Sequence, residues 1–229
     1  MITWIILIVA GYLLGSLPLS YLVGKARGIN LKKQGTHQVG AGNLWRLASR
    51  RLGLIVGIWD FIKGIILVLI AYFLGMDAGE QLVIGLAVIV GHNWPVWLRF
   101  HGGRGIATFM GLTVILPSLN QSVSPWPTII AYGFVIIMLA IYHSTPLPVL
   151  IATASLPLTS WLFHAGTSVA AAYLAIFLVV VLKRLTAQPA PEKLQSSHWR
   201  LYMNRLFFDR DIADRHAWVH RAFDKKEIS

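Results

Sequence analysis

The 229-residue chain has no cysteine, which excludes disulfide bonds and thiolate-held metals. Acidic side chains are scarce, nine Asp and Glu against twenty Lys and Arg, and all charged residues together make up 13% of the sequence. An ordinary soluble domain carries about twice that share. No nucleic-acid-binding motif accompanies the net charge of +11, so nucleic acid is not an expected partner. No internal repeat is evident, which weakens a reading as an inverted-repeat transporter. The first apolar segment lacks a basic lead and a small-residue cleavage site, so it is expected to be retained as a span. What the chain does have is apolar: 56% of its residues, with a mean hydropathy of +0.64. The expected class is an all-α, polytopic integral membrane protein, because helices satisfy their own backbone inside a bilayer.

Apolar runs at residues 2–24, 52–75, 81–98, 106–118, 127–142, 148–163 and 168–182 predict about seven transmembrane helices. The fourth is short, which suits a half-helix or re-entrant segment covered by protein. Charge is distributed unevenly over the connections. Seven Lys and Arg lie between Lys25 and Arg51, Arg99 and Arg104 sit in the third connection, and ten run from Lys183 to Lys226. The second, fourth and sixth connections carry none. This bias puts the N-terminus outside and the C-terminus in the cytoplasm, and argues for keeping the fourth span. Residues 1–187 read as the membrane domain. Residues 188–229, opening on Gln188-Pro189-Ala190-Pro191, read as a basic and aromatic cytoplasmic tail. Its stretch from His198 to Phe223, which alternates aromatic and basic residues as in HWRLYMNRLFFDR, fits an interfacial amphipathic helix. Trp199, Leu201, Tyr202, Leu206 and Phe207 would insert, with Arg200, Arg205 and Arg210 on lipid headgroups.

Several stretches carry residues suited to chemistry. Residues 91–111, GHNWPVWLRFHGGRGIATFMG, join two apolar segments. Gly102, Gly103 and Gly105 around Arg104 let the backbone turn sharply and aim N–H groups at an anion, which a helix starting near Gly105 would also favour. Arg104 adds a planar donor suited to phosphate. The plainer reading is a basic turn between membrane helices. Between Gly35 and Asn43, GTHQVGAGN sets Thr36, Gln38 and Asn43 among three glycines, with Arg46 following. It reads as a binding loop, against the alternative of a segment resting on anionic lipids. Asp60 and Lys63 share one face of the second span and are expected to form a structural ion pair. Ser144 beside His143 resembles a nucleophile and base, but sequence neighbours rarely supply triad geometry, and a polar turn before Pro146 is the favoured reading of that pair. His92 reads either as a general base or as a buried histidine bonded to a backbone carbonyl.

Taken together, these stretches resemble the bacterial PlsY-type glycerol-3-phosphate acyltransferases, small seven-span enzymes of the inner membrane. Gly15-Ser16-Leu17-Pro18 matches the family's GS-x-P, and Asp60 to Gly64 its D-x-x-KG. Residues 91–111 match its GH-x-x-P-x-x-L-x-F-x-GGKG-x-AT-x-x-G, with Arg104 in the Lys position. Tyr142-His143-Ser144 is similar to its Tyr-x-Ser element. The loop GSGN-x-GATN departs: Thr36 replaces Ser, Gln38 replaces a shorter Asn, and Gly42 replaces Thr, while Asn43 and Arg46 are retained. The changes at 38 and 42 are expected to compensate each other. The family's His and Asn at the end of the last span are missing around Leu182–Leu185.

The resemblance implies transfer of a fatty acyl group from acyl phosphate to the sn-1 hydroxyl of glycerol 3-phosphate. The product, lysophosphatidic acid, would feed phospholipid synthesis at the cytoplasmic face of the bacterial inner membrane. His92, Ser144 and Thr36 would then be catalytic. Gln38, Asn43, Arg46, Gly102, Gly103, Arg104 and Gly105 would bind substrate and its phosphates. Acyl phosphate is already activated, so no cofactor or metal is expected. The expected partners are the two substrates and membrane lipids; oligomeric state is left open, a monomer being sufficient. The alternatives are a catalytically altered or inactive paralogue acting as a membrane scaffold, and a transporter of small anionic metabolites.

Overall fold

The computed structural model describes residues 2–186 and 197–219, and helices carry them. In chain order they are α1 (Ile2–Ser16), α2 (Leu19–Ala26), α3 (Ala41–Leu47), α4 (Arg50–Phe73), α5 (Ala78–Asn93), α6 (Ile106–Leu119), α7 (Trp126–Tyr142), α8 (Pro146–Leu162), α9 (Thr167–Leu185), α10 (His198–Phe208) and α11 (Arg215–Val219). A short 3-10 turn, Val96–Leu98, extends α5. Four stretches are long and apolar enough to cross a membrane: Ile2–Ala26, Arg50–Phe73, Ala78–Leu98 and Thr167–Leu185. The other three apolar helices, α6, α7 and α8, are shorter. Most of the outer surface is Leu, Ile, Val and aromatic side chain, as lipid contact requires.

The bundle is built around α5, which packs against α1, α4, α6 and α9. Small residues let these backbones approach closely. Gly15 of α1 lies on the Val88 carbonyl and Gly91 of α5 on the Tyr12 carbonyl. Gly64 of α4 and Gly111 of α6 make the same exchange with Thr108 and Phe61. In lipid, where apolar surface alone gives no reason to associate, close van der Waals packing of this kind holds helices together. Leu82, Ile89, Leu112, Leu116, Leu156 and Ile176 fill the space between α5, α6, α8 and α9. At the end of the bundle away from the glycine-rich turn, Asp77 and Glu80 form a capping box on α5. The buried Gln81 amide exchanges hydrogen bonds with Asn120 there, pinning the C-terminal end of α6.

The segment after α2 folds over the opposite end. Leu31, Leu44 and Val56 give it a small core of its own against α4. The described part of the tail folds back onto this end as well, and here the structure departs from expectation. Arg205, assigned by sequence to lipid headgroups, is buried. Its Nε lies 2.7 Å from Asp211 Oδ1, and its Nη1 donates to the Leu185 carbonyl at 2.8 Å. Arg184 donates to the carbonyls of Leu206 and Pro146 at 2.7 and 2.8 Å. Leu185 and Leu206 lie in the last turns of α9 and α10, whose carbonyls lack intrahelical donors, and these guanidinium groups supply them, while Pro146 ties the start of α8 to the same point. Trp199 and Tyr202 stay exposed. Residues 220–223 of the expected amphipathic stretch lie outside the described residues.

Candidate functional site

The glycine-rich turn does come together at the start of a helix. Arg99 and Phe100 are both left-handed, with φ of 53° and 64°, and Gly105, φ 72°, precedes α6 as its N-cap. A side chain on Gly105 would meet Asn93 Oδ1 at 2.7 Å, so glycine is required twice over, by conformation and by space. The N–H groups of Gly102 and Gly103 are not aimed at a ligand, contrary to the expectation for a phosphate cradle. They donate to the carbonyls of Asn93 and His92, at 3.2 and 3.1 Å. These two glycines let the turn lie flat on the end of α5, and the α5 carbonyls are thereby satisfied. Arg104 reaches into the tail: its Nη2 donates to the Asp209 carbonyl at 3.0 Å, and its Nε lies 3.1 Å from Asp209 Oδ2.

His92 does not take the backbone carbonyl expected of a buried histidine; its Nδ1 lies 2.8 Å from Lys63 Nζ and 3.5 Å from Asp60 Oδ1. Asp60 and Lys63 form the expected pair at 2.9 Å, and Lys63 also donates to the Gly15 carbonyl at 3.2 Å. Paired in this way, the ammonium donates to Nδ1, which leaves the ring proton on Nε2 beneath Gly103. This three-residue cluster borders a void of about 10 Å³, room for about one water. His92 lines neither of the open clefts described next.

In the first loop, Asn43 is buried and its amide is used within the loop. Oδ1 accepts from the Thr36 N–H at 3.0 Å, while Nδ2 serves the carbonyls of Leu31, Gln34 and Gln38 at 3.0–3.2 Å. Asn43 therefore shapes the surface that Thr36 and Gln38 present, and it does not line the clefts. Arg46, one turn on, donates from Nη1 to the Gly42 carbonyl at 3.1 Å.

Two clefts adjoin at this end of the bundle. The first, about 130 Å³, is walled by Gly102, Arg104, Trp94, Lys183 and Asp211. The second, about 280 Å³, is walled by Arg46, Leu139, Ser144, Pro146 and Asp209. Thr36, Gln38, Arg210 and Trp218 line both. Of the residues chosen from sequence, Thr36, Gln38, Arg46, Ser144, Gly102 and Arg104 thus meet around one connected space. Asn43, Gly103, Gly105, His92, Asp60 and Lys63 lie behind its wall. Sequence reasoning passes over Lys183, Asp209 and Arg210, because Lys183 follows the last apolar run and Arg210 reads as a headgroup-facing cation of the tail, with Asp209 beside it. Lys183 Nζ donates to the Asn93 carbonyl at 2.5 Å and stands 5.1 Å from the Trp94 ring. Burial pushes the Asp209 carboxyl above the usual carboxylate range, although Arg104, Arg184 and Lys183 pull it down. Among the described residues no cluster of His, Asp or Glu has the arrangement of a metal site.

A helical integral membrane protein with paired cationic clefts at one end of the bundle is the class that fold and site define. Residues 5–188 match the family model described as glycerol-3-phosphate acyltransferase. The chain is 37% identical over 227 residues to glycerol-3-phosphate acyltransferase 5 of Dehalococcoides mccartyi, covering 96% of this chain and 94% of that one. It is 34% identical over 174 residues to the glycerol-3-phosphate acyltransferase of Prochlorococcus marinus, covering 75% and 84%. It is also similar to the crystal structure of PlsY (YgiH), an integral membrane glycerol 3-phosphate acyltransferase, in its glycerol 3-phosphate form. There the TM-score is 0.70 at 27% identity, over 80% of this chain and 88% of that one. The chain belongs to the glycerol-3-phosphate acyltransferase family, of the PlsY type. The relatives favour an enzyme over the scaffold and transporter readings.

Proposed function

We propose that the chain transfers a fatty acyl group from acyl phosphate to the sn-1 hydroxyl of glycerol 3-phosphate, giving lysophosphatidic acid and inorganic phosphate. The observation that carries this reading is the pair of adjoining cationic clefts that share Thr36 and Gln38. Two phosphorylated substrates need two anion sites close enough for the hydroxyl of one to meet the carbonyl of the other. The second cleft suits the acyl donor. An apolar cavity of about 240 Å³, walled by Phe109, Met110, Ile136, Val149 and Leu156, lies between α6, α7 and α8. Leu139 and Pro146 of the second cleft are about one turn along α7 and α8 from Ile136 and Val149, so an acyl chain can run from one into the other. Glycerol 3-phosphate then takes the first cleft, beside Arg104 and Lys183.

In the reaction the sn-1 oxygen bonds to the acyl carbon as the bond from that carbon to the phosphate oxygen breaks. The hydroxyl proton leaves with the departing phosphate, so no protein base is required. Thr36 and Gln38, at the shared wall, orient the hydroxyl and the carbonyl, and Ser144 adds a hydrogen bond on the donor side. Arg46 and Arg104 offset the charge of two phosphates brought together. Asp60, Lys63 and His92 hold the end of α5 under the turn as positioning residues. The positive-inside pattern of loops supports seven crossings, an outside N-terminus and clefts facing the cytoplasm of a bacterial inner membrane.

The test is product formation by the purified full chain with glycerol 3-phosphate and either acyl phosphate or acyl-coenzyme A. Lysophosphatidic acid should appear with acyl phosphate. Product from acyl-coenzyme A alone would overturn the donor assignment.

A further inference from the structure

The match to the family model ends at residue 188, yet residues beyond it help to wall both clefts. Arg210 is the guanidinium common to the two, and it stands where they meet. Its backbone is fixed on both sides. Asp209 before it is fastened to Arg104 of the glycine-rich turn. Asp211 after it is fastened to Arg205, and its carbonyl accepts from Asn204 Nδ2 at 3.0 Å. The Phe208 ring lies 5.4 Å from the Arg210 guanidinium and backs it from the α10 side. Nearby, Arg104 donates from Nη2 to the Asp209 carbonyl with its Nε 3.1 Å from Asp209 Oδ2, and Lys183 donates from Nζ to the Asn93 carbonyl.

We propose that Arg210, carried by the folded-back tail, is a substrate-binding residue that takes a phosphate monoester dianion at the junction of the two clefts. This rests on the reading that the clefts hold glycerol 3-phosphate and an acyl phosphate. A planar, permanently charged fork suits a phosphate dianion, and two anchored neighbours set its position before substrate arrives. The phosphate can belong to either substrate; the kinetics separate the two.

The experiment measures KM for each substrate and kcat, on full-length protein purified in detergent, for wild type, Arg210→Ala, Arg210→Lys and Arg200→Ala. Arg200 is an exposed cation on α10 that lines neither cleft, so its removal controls for the loss of one charge from the tail. Arg210→Ala should raise one KM about tenfold or more, the size of one charge-assisted hydrogen bond, with kcat changed far less. Arg210→Lys should recover part of that loss, and Arg200→Ala should leave both KM values within about twofold. A rise confined to glycerol 3-phosphate assigns the acceptor phosphate, and one confined to acyl phosphate assigns the donor. If Arg210→Ala does not fold, Arg210→Gln replaces it. Both KM values unchanged in a folded, active variant overturn the proposal, as does an equal rise in Arg200→Ala. Wild-type turnover with acyl-coenzyme A instead of acyl phosphate would sink the donor assignment alone, because the glycerol 3-phosphate arm still reads Arg210.

Discussion

Asn43 and Arg46 lie on one short helix, α3, and use their polar groups differently. The Asn43 amide closes the loop on itself, whereas Arg46 lines the second cleft. Asn43→Ala should therefore cost stability first, about 1–3 kcal/mol for buried groups left without partners, seen as a lower Tm in detergent. Arg46→Ala should leave Tm nearly unchanged and raise a substrate KM. An Asn43→Ala protein with unchanged Tm and a raised KM would return Asn43 to the substrate. The Asp60–Lys63–His92 cluster is open to a similar distinction. Lys63→Met leaves the buried Asp60 carboxylate without its ammonium partner, and breaking a buried pair this way costs roughly 3–5 kcal/mol. Asp60→Asn together with Lys63→Met removes both charges and should recover much of the lost Tm. A double variant that is stable but inactive would show the cluster to be more than a positioning device.

At the scale of elements, the sequence was most informative where local geometry is dictated by residue type. Glycine at 105 before an apolar run implied a helix start, and α6 begins at Ile106. The spacing of Asp60 and Lys63 implied a pair, and the pair forms. What stayed illegible depends on contacts between distant segments. Nothing in Gly102-Gly103 says that their N–H groups go to the carbonyls of His92 and Asn93, since that follows from how the turn lies on α5. Nor does the basic and aromatic pattern of α10 reveal that Arg205 turns inward to Asp211 and the end of α9, since the same pattern serves a lipid surface. The docked tail carries a pH signature. Burial holds the Asp209 carboxyl above its usual range, so the folded state binds that proton more tightly than the unfolded state does. The stabilisation from this group is thus complete below the unfolded carboxylate value of about 4 and is lost as pH rises through the higher folded value. Asp209→Asn mimics the protonated form and should match or exceed the wild-type Tm at pH 7, with the difference narrowing toward pH 4. A lower Tm for the variant at every pH would mean that the Asp209–Arg104 pair outweighs the burial.

For the whole molecule the open quantity is how many times the chain crosses the bilayer, and α6 decides it. Its 14 residues span about 21 Å, short of a hydrocarbon core of about 30 Å. Both ends of α6 are covered by protein, which makes a short crossing tolerable. Gly105 and the glycine-rich turn sit on α5 at one end, and the Asn120–Gln81 amide pair seals the other. Along its length Gly111 is pressed against α4, and its Thr108 and Thr113 side chains are buried. If α6 crosses, the first loop and the turn before Trp126 lie on opposite sides of the membrane. The absence of cysteine makes this directly measurable, because any introduced thiol is the only one present. Lys33 and Gln121 are both exposed, one in the first loop and one just beyond α6. In intact cells a membrane-impermeant maleimide should label Gln121→Cys, and should label Lys33→Cys only after permeabilisation. Labelling of both from the same side would make α6 a re-entrant segment. The chain would then have an even number of crossings, and the basic tail that walls the clefts could not share a compartment with the first loop unless the remaining spans were also reassigned.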